Sequence, residues 1–142
     1  MTSHEATADV VVAASPERVW QALTDPGQIA EYMMGSRVDT DWQPGSPITW
    51  SGEWQGRAYQ DKGEVLELEP GTRLVVTHYS PLTGQEDVPA SYHTVRYDLS
   101  VEDDGTRVPL RQDGCASEEE ARQFSQSWQM MLDGLKRVAE RS

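Results

Sequence analysis

The sequence predicts an α+β fold: a curved antiparallel sheet of about seven strands wrapped on a long C-terminal helix, with two short helices after the first strand. Three observations predict it. Between Ser117 and Glu140, Ala121, Phe124, Trp128, Met131, Leu132, Leu135 and Val138 recur at spacings of three and four, an apolar stripe of some five helical turns. Residues 73–79 and 93–101 alternate in side-chain character with the period of two that belongs to a strand. Two helix-start signals, Ser15-Pro16 and Asp25-Pro26, follow directly on a Val- and Ala-rich segment. A single antiparallel sheet needs a cover for its apolar face, so the striped helix must lie across it.

The elements follow in order. Thr7 to Ala14 reads as the first strand. Ser15 can cap free backbone N–H groups, Pro16 suits the first helical position, and Glu17 favours the positive end of the helix dipole. Val19 and Leu23 share a face of that helix, with Trp20 beside them. The second helix carries Ile29, Tyr32 and Met33 on one side and ends near Gly35. Ile48 and Trp50 alternate with Thr49 and Ser51. Gly63 to Glu69 is a strand before a Pro70-Gly71 turn. In the next strand Leu74, Val76 and His78 point one way, and Val75, Thr77 and Tyr79 the other. Ser80 to Ala90 reads as a long loop. His93, Val95, Tyr97, Leu99 and Val101 form one face of a half-buried strand. Asp104-Gly105 is a two-residue hairpin signal, and Thr106 to Gln112 is the return strand. Pro109 there lacks a ladder donor, so a bulge or an unpaired N position is expected. Ser117-Glu118-Glu119-Glu120 is a capping box that opens the last helix.

The totals narrow the function. No repeat, low-complexity segment or linker divides the 142 residues, so residues 1–142 read as one domain. The net charge of −12 repels phosphate backbones and argues against nucleic-acid binding. The densest basic segment, Lys136-Arg137 with Arg141, falls where it complements a helix dipole. No apolar run approaches the roughly 20 residues that span a bilayer, and no secretory signal opens the chain, so membrane insertion is not expected. Cys115 is the only cysteine, which excludes an intrachain disulfide and fits a cytoplasmic location. Five Trp and five Tyr against one Phe favour aromatics with a polar handle, which suit a half-wet cavity wall as well as ordinary core.

Several stretches carry a family resemblance. Ala14-Ser15-Pro16-Glu17-Arg18-Val19-Trp20-Gln21-Ala22-Leu23-Thr24-Asp25-Pro26 comes first. Gly63-Glu64-Val65-Leu66-Glu67-Leu68-Glu69-Pro70 and Arg73-Leu74-Val75-Val76-Thr77-His78 follow, then Trp128 and Leu132. In this order they resemble the Bet v 1-like (START/SRPBCC) superfamily, in the branch similar to the C-terminal domain of the activator of Hsp90 ATPase. The resemblance runs over roughly residues 7–140. It implies a helix-grip fold with a cavity between sheet and terminal helix, where superfamily relatives bind lipids, hormones or polyketide intermediates and some catalyse cyclisation or dehydration. It also implies a possible homodimer. Fold by itself does not give function.

His78 is the ionisable group of most interest, because its register places it with Leu74 and Val76. On a cavity wall it could donate to a ligand carbonyl or move a proton. A lone histidine on an apolar face is more often a core residue with a satisfied hydrogen bond. Trp50, Trp54, Tyr59 and Trp128 are candidate walls, and Met131 joins them, with Met33, Met34 and Met130 in the flanking helical regions. The same residues can simply fill core. His93 meets His78 only if their strands pair in a suitable register. Cys115 precedes a helix start, which can activate a thiol, or it packs inertly. Three histidines without ligand spacing give no metal site, and no nucleophile constellation, phosphate loop or dinucleotide fingerprint is present, so no cofactor is expected. The expected ligand-binding residues are therefore His78, Trp50, Tyr59, Trp128 and Met131, and the expected ligand is a small apolar or aromatic molecule. The chain reads as a binding domain more than an enzyme. A cyclase-like enzyme using His78 with a tyrosine, and a chaperone-activator-like interaction module, are the alternatives.

Overall fold

The computed structural model describes residues 4–33, 35–54, 56–80, 86–115 and 117–141. In chain order these form β1 (His4–Val12), α1 (Pro16–Thr24), α2 (Pro26–Tyr32), β2 (Arg37–Thr40), β3 (Pro47–Trp54), β4 (Arg57–Glu69), β5 (Arg73–His78), a 3-10 turn (Pro89–Ser91), β6 (His93–Asp98), β7 (Ser100–Glu102), β8 (Gly105–Cys115) and α3 (Glu118–Glu140). Seven strands form one curved antiparallel sheet in the order β1-β8-β6-β5-β4-β3-β2, and β7 pairs with β8 beside it. This is the predicted helix-grip architecture.

The helix starts follow their chemistry. Ser15 Oγ accepts from Arg18 N at 3.2 Å and Ser117 Oγ accepts from Glu120 N at 3.1 Å. Ala6, Ala8, Val10 and Val12 of β1 face inward and are buried, as are Val108 and Leu110 of β8. Leu132, Leu135 and Val138 of α3 join all of these but Ala6 in one core, and Ala6 packs with Cys115 and Ala121 in a smaller cluster.

The helix also meets β1 along its free edge. Ser125 Oγ accepts from Thr7 N at 2.9 Å. Gln129 accepts from Asp9 N at 3.3 Å and donates to Asp9 O at 2.9 Å. Lys136 Nζ donates to Val11 O at 3.0 Å, and Glu140 accepts from Ala13 N at 2.7 Å. An edge strand's unpaired backbone groups are thereby covered. Pro109 lies opposite Asp9, whose backbone turns outward to Gln129. On its other side β6 and β7 break at Leu99, so a residue without an N–H is tolerated there.

Some boundaries differ from expectation. The strand expected over residues 93–101 is interrupted at Leu99, whose N–H turns to Thr72 O at 2.7 Å, and this gives eight strands instead of seven. The hairpin turn is Asp103-Asp104, because Glu102 already pairs with Gly105. Gly105 is needed for close approach: a Cβ there would lie 2.4 Å from Val12 O. β4 begins at Arg57, six residues before the expected Gly63, and bulges between Val65 and Glu67. The bulge brings Val65 and Leu68, three residues apart, to the inner face opposite Val76 and Leu74, while Leu66 and Glu67 stay exposed. Met34 lies outside the described residues.

The position of α2 depends on one small residue of α3. A Cβ on Gly134 would lie 2.8 Å from the Cβ of Tyr32. Tyr32 in turn donates to Ala22 O at 2.8 Å, which ties α2 to α1. In an unobstructed helix Gly→Ala stabilises by roughly 0.5–1 kcal/mol. Gly134→Ala should instead destabilise by about 1–2 kcal/mol in urea unfolding, the usual scale of overpacking. A gain in stability would mean that α2 is not held by this contact.

Candidate functional site

The site is built from the middle of the sheet outward. Trp50 of β3 is paired with Asp61 of β4, and Tyr59 lies two residues along on the same face. The bridge between Lys62 and Tyr79 sets Asp61 diagonally across from His78. His78 Nε2 then meets Asp61 Oδ2 at 2.9 Å. The Trp50 ring stands edge-on to the imidazole, with centroids 5.1 Å apart at 66°. An ionised carboxylate only accepts, so Nε2 carries the hydrogen. Both side chains are mostly buried, with 26% of His78 and 16% of Asp61 exposed. Asp61 Oδ1 is buried and has no hydrogen-bond partner.

Around this pair is a cavity of about 90 Å³ between the sheet, α2 and α3. Its walls include Ile48, Leu74, Val76 and Val95 from the strands, Ile29, Tyr32 and Met33 from α2, and Trp128 from α3. Trp42, Trp50, Tyr59 and Tyr97 complete the aromatic lining. The Tyr59 ring lies over Gly52, where a Cβ would come within 2.9 Å of the hydroxyl oxygen, and its hydroxyl is 2.5 Å from Ser36 Oγ. Burial raises the Tyr97 hydroxyl pKa, and that hydroxyl has no hydrogen-bond partner among the described residues. Burial likewise holds Tyr32 well above the usual tyrosine range.

The structure brings four of the five expected residues together: His78, Trp50, Tyr59 and Trp128 all line the cavity. Met131 does not line it; it is 8% exposed, inside the core. Its place follows from the helix, because Trp128 and Leu135 lie one turn to either side and Met131 falls between them on the packed stripe. Met33 lines the cavity, and Met130 is 75% exposed. The Trp54 side chain lies outside the described residues. His93 is the direct register partner of His78, yet the two rings part. His93 turns its Nδ1 to Asp113 O at 3.0 Å and its ring to Phe124. Cys115 is buried at the strand-to-helix junction, and burial first, then Glu120, pushes its thiol up, which is the inert reading. Among the described residues no three His, Cys, Asp or Glu side chains group to hold a metal ion, and no helix is long and apolar enough to cross a membrane.

Sequence reasoning missed Asp61, Ser36, Trp42 and Tyr32. For Asp61 a signal existed. Extending β4 back with period two places Tyr59, Asp61 and Gly63 on alternate positions of one face, but Gln60-Asp61-Lys62 has no apolar residue to mark a strand.

A long helix gripped by a curved antiparallel sheet, with an internal cavity between them, defines the Bet v 1-like class. The family described as "Activator of Hsp90 ATPase homolog 1-like protein" matches residues 13–140, and the chain belongs to that family. It is similar to the solution structure of ChR145 from Cytophaga hutchinsonii, at 42% identity, TM-score 0.86, and 99% and 97% coverage of the two chains. The Aha1 dimer from Colwellia psychrerythraea shares the fold at 18% identity, TM-score 0.74, and 97% coverage of each chain. CalU16 from Micromonospora echinospora does so at 22% identity and TM-score 0.72, covering 99% of this chain and 88% of its own. No curated protein matches the chain.

Trp128 also holds the cavity wall to the sheet, since its Nε1 donates to Gln112 Oε1 at 2.6 Å. Gln112 is 2% exposed and its Nε2 is unpaired. Trp128→Phe removes the remaining partner and should cost about 1–3 kcal/mol in thermal or urea unfolding. Adding Gln112→Met should recover most of the loss. A loss that persists in the double variant would assign the cost to lost ring packing instead.

Proposed function

We propose that this chain is a binding domain for a small, mainly apolar or aromatic molecule, held in the cavity between the sheet, α2 and α3. The observation that carries this reading is the composition of the wall. Aliphatic and aromatic side chains enclose one mostly buried carboxylate–imidazole pair. An apolar wall with a few convergent polar groups binds by burying ligand area and orients by hydrogen bonding. The family match and the shared fold support a cavity of this kind.

Size bounds the ligand. At about 90 Å³ the space is smaller than an engineered cavity of roughly 150 Å³ that takes benzene, so a wall must yield to admit a ring. The wall suited to yield is Met33 at the end of the seven-residue α2, since methionine adapts its shape at little cost.

A second reading has its own observation. Asp61 fixes the tautomer and orientation of His78, the arrangement that also serves a general acid or base. A cyclase-like proton transfer on a bound molecule is therefore the alternative. A chaperone-directed role rests on the family's name alone. A homodimer is supported by the dimeric relative from Colwellia psychrerythraea. Because α3 side chains cover the edge of β1, strand pairing between copies would use the β2 edge. A cytoplasmic location is consistent with the single reduced cysteine.

Native mass spectrometry of freshly purified protein tests the binding reading. One retained small-molecule mass per chain is expected, lost from a Val76→Phe variant whose larger side chain fills the space. Bare protein that also gives no chemical-shift change with single-ring compounds would remove it.

A further inference from the structure

The polar groups on the cavity wall are unevenly committed. His78 Nε2–H is spent on Asp61 Oδ2 at 2.9 Å. The Tyr59 hydroxyl is paired with Ser36, the Tyr32 hydroxyl with Ala22 O, and Trp128 Nε1 with Gln112. Asp61 is different. Its carboxylate accepts one hydrogen bond from the described residues where it has room for about four, and Oδ1 accepts none. A buried acceptor without a donor carries a desolvation cost, and a ligand donor that reaches the carboxylate once the wall yields offsets it.

We infer that the cavity selects molecules whose polar end is a hydrogen-bond donor, a hydroxyl or ammonium group on a small apolar ring, and rejects those that offer only a carbonyl or carboxylate there. This rests on the binding reading above and specifies its ligand. It also revises the expectation that His78 donates to a ligand carbonyl, because Asp61 already takes that hydrogen. A carbonyl oxygen set against Asp61 faces lone pairs with lone pairs. A ligand carboxylate adds like-charge repulsion, in a chain that already carries −12. The free Tyr97 hydroxyl can give or take a hydrogen bond and so discriminates less.

The test is a set of single-ring compounds of nearly equal size, titrated into the ¹⁵N-labelled protein and followed by backbone and indole chemical shifts: phenol, benzylamine, toluene, benzaldehyde and benzoate. Phenol or benzylamine, or both, should bind at least about tenfold tighter than toluene and benzaldehyde, with benzoate weakest. Which of the two leads distinguishes a hydroxyl from an ammonium ligand. Asp61→Asn, which adds a donor at the same place, should cut that preference to about threefold or less and improve benzaldehyde binding. Toluene or benzaldehyde binding as tightly as the donors would overturn the donor inference and leave the cavity reading intact. If no compound shifts any cavity residue, the binding reading fails and this inference with it. Should Asp61→Asn not fold, the wild-type series decides alone.

Discussion

The long helix α3 meets the sheet in two chemically different ways. One face presents Leu132, Leu135 and Val138 to the apolar side of the strands. Beside it, Ser125, Gln129, Lys136 and Glu140 bond to the backbone of β1 at Thr7, Asp9, Val11 and Ala13. The first contact excludes water from the core. The second replaces the strand partner that β1 lacks and fixes the helix along that edge. Arg18 adds a third tie, donating to Val138 O at 2.8 Å and Arg141 O at 3.1 Å at the helix's C-terminal end. With α3 pinned over β1, Trp128 near its middle faces the middle strands across a gap, and the cavity is that gap.

The chemistry of the gap follows from one strand. β4 runs thirteen residues and carries Tyr59 and Asp61 on its inner face. Placing an acid there is unfavourable unless it is paired, because burying a charge costs far more than burying an amide or hydroxyl. His78 supplies one hydrogen, and the aromatic neighbours limit the water that could supply others. The result is a wall that attracts apolar surface almost everywhere and a donor at one point. Binding energy and selectivity thus come from different residues.

Sequence patterns carried the scaffold well. The stripe of α3, both helix starts and the alternation of β5 and β6 all rest on local chemistry that tertiary contacts did not override. His78, Trp50 and Trp128 were legible as candidate walls because alternation and helical phase assigned their faces, whereas Tyr59, outside the expected strand, was legible only as an aromatic with a polar handle. Asp61 was not, since its neighbours Gln60 and Lys62 are polar on the outer face and nothing local distinguishes the inner one. Met131 was misplaced for a geometric reason: a helix stripe several residues wide covers both core and cavity, and phase does not say which. β2 was missed because a four-residue edge strand, Arg37–Thr40, with Val38 as its one buried residue, is too short for alternation to register. The split at Leu99 depends on Thr72, a loop residue distant in sequence.

The account turns on the hydrogen between His78 and Asp61, and on that pair facing a space a ligand can enter. Imidazole ¹⁵N spectra of the protein, recorded with and without phenol, address both points. The account predicts that His78 Nε2 carries a hydrogen in the free protein, and that phenol shifts the His78, Trp50 and Tyr97 signals while leaving that hydrogen on Nε2. A bare Nε2 in the free protein, or shifts confined to residues outside the cavity wall, would contradict it.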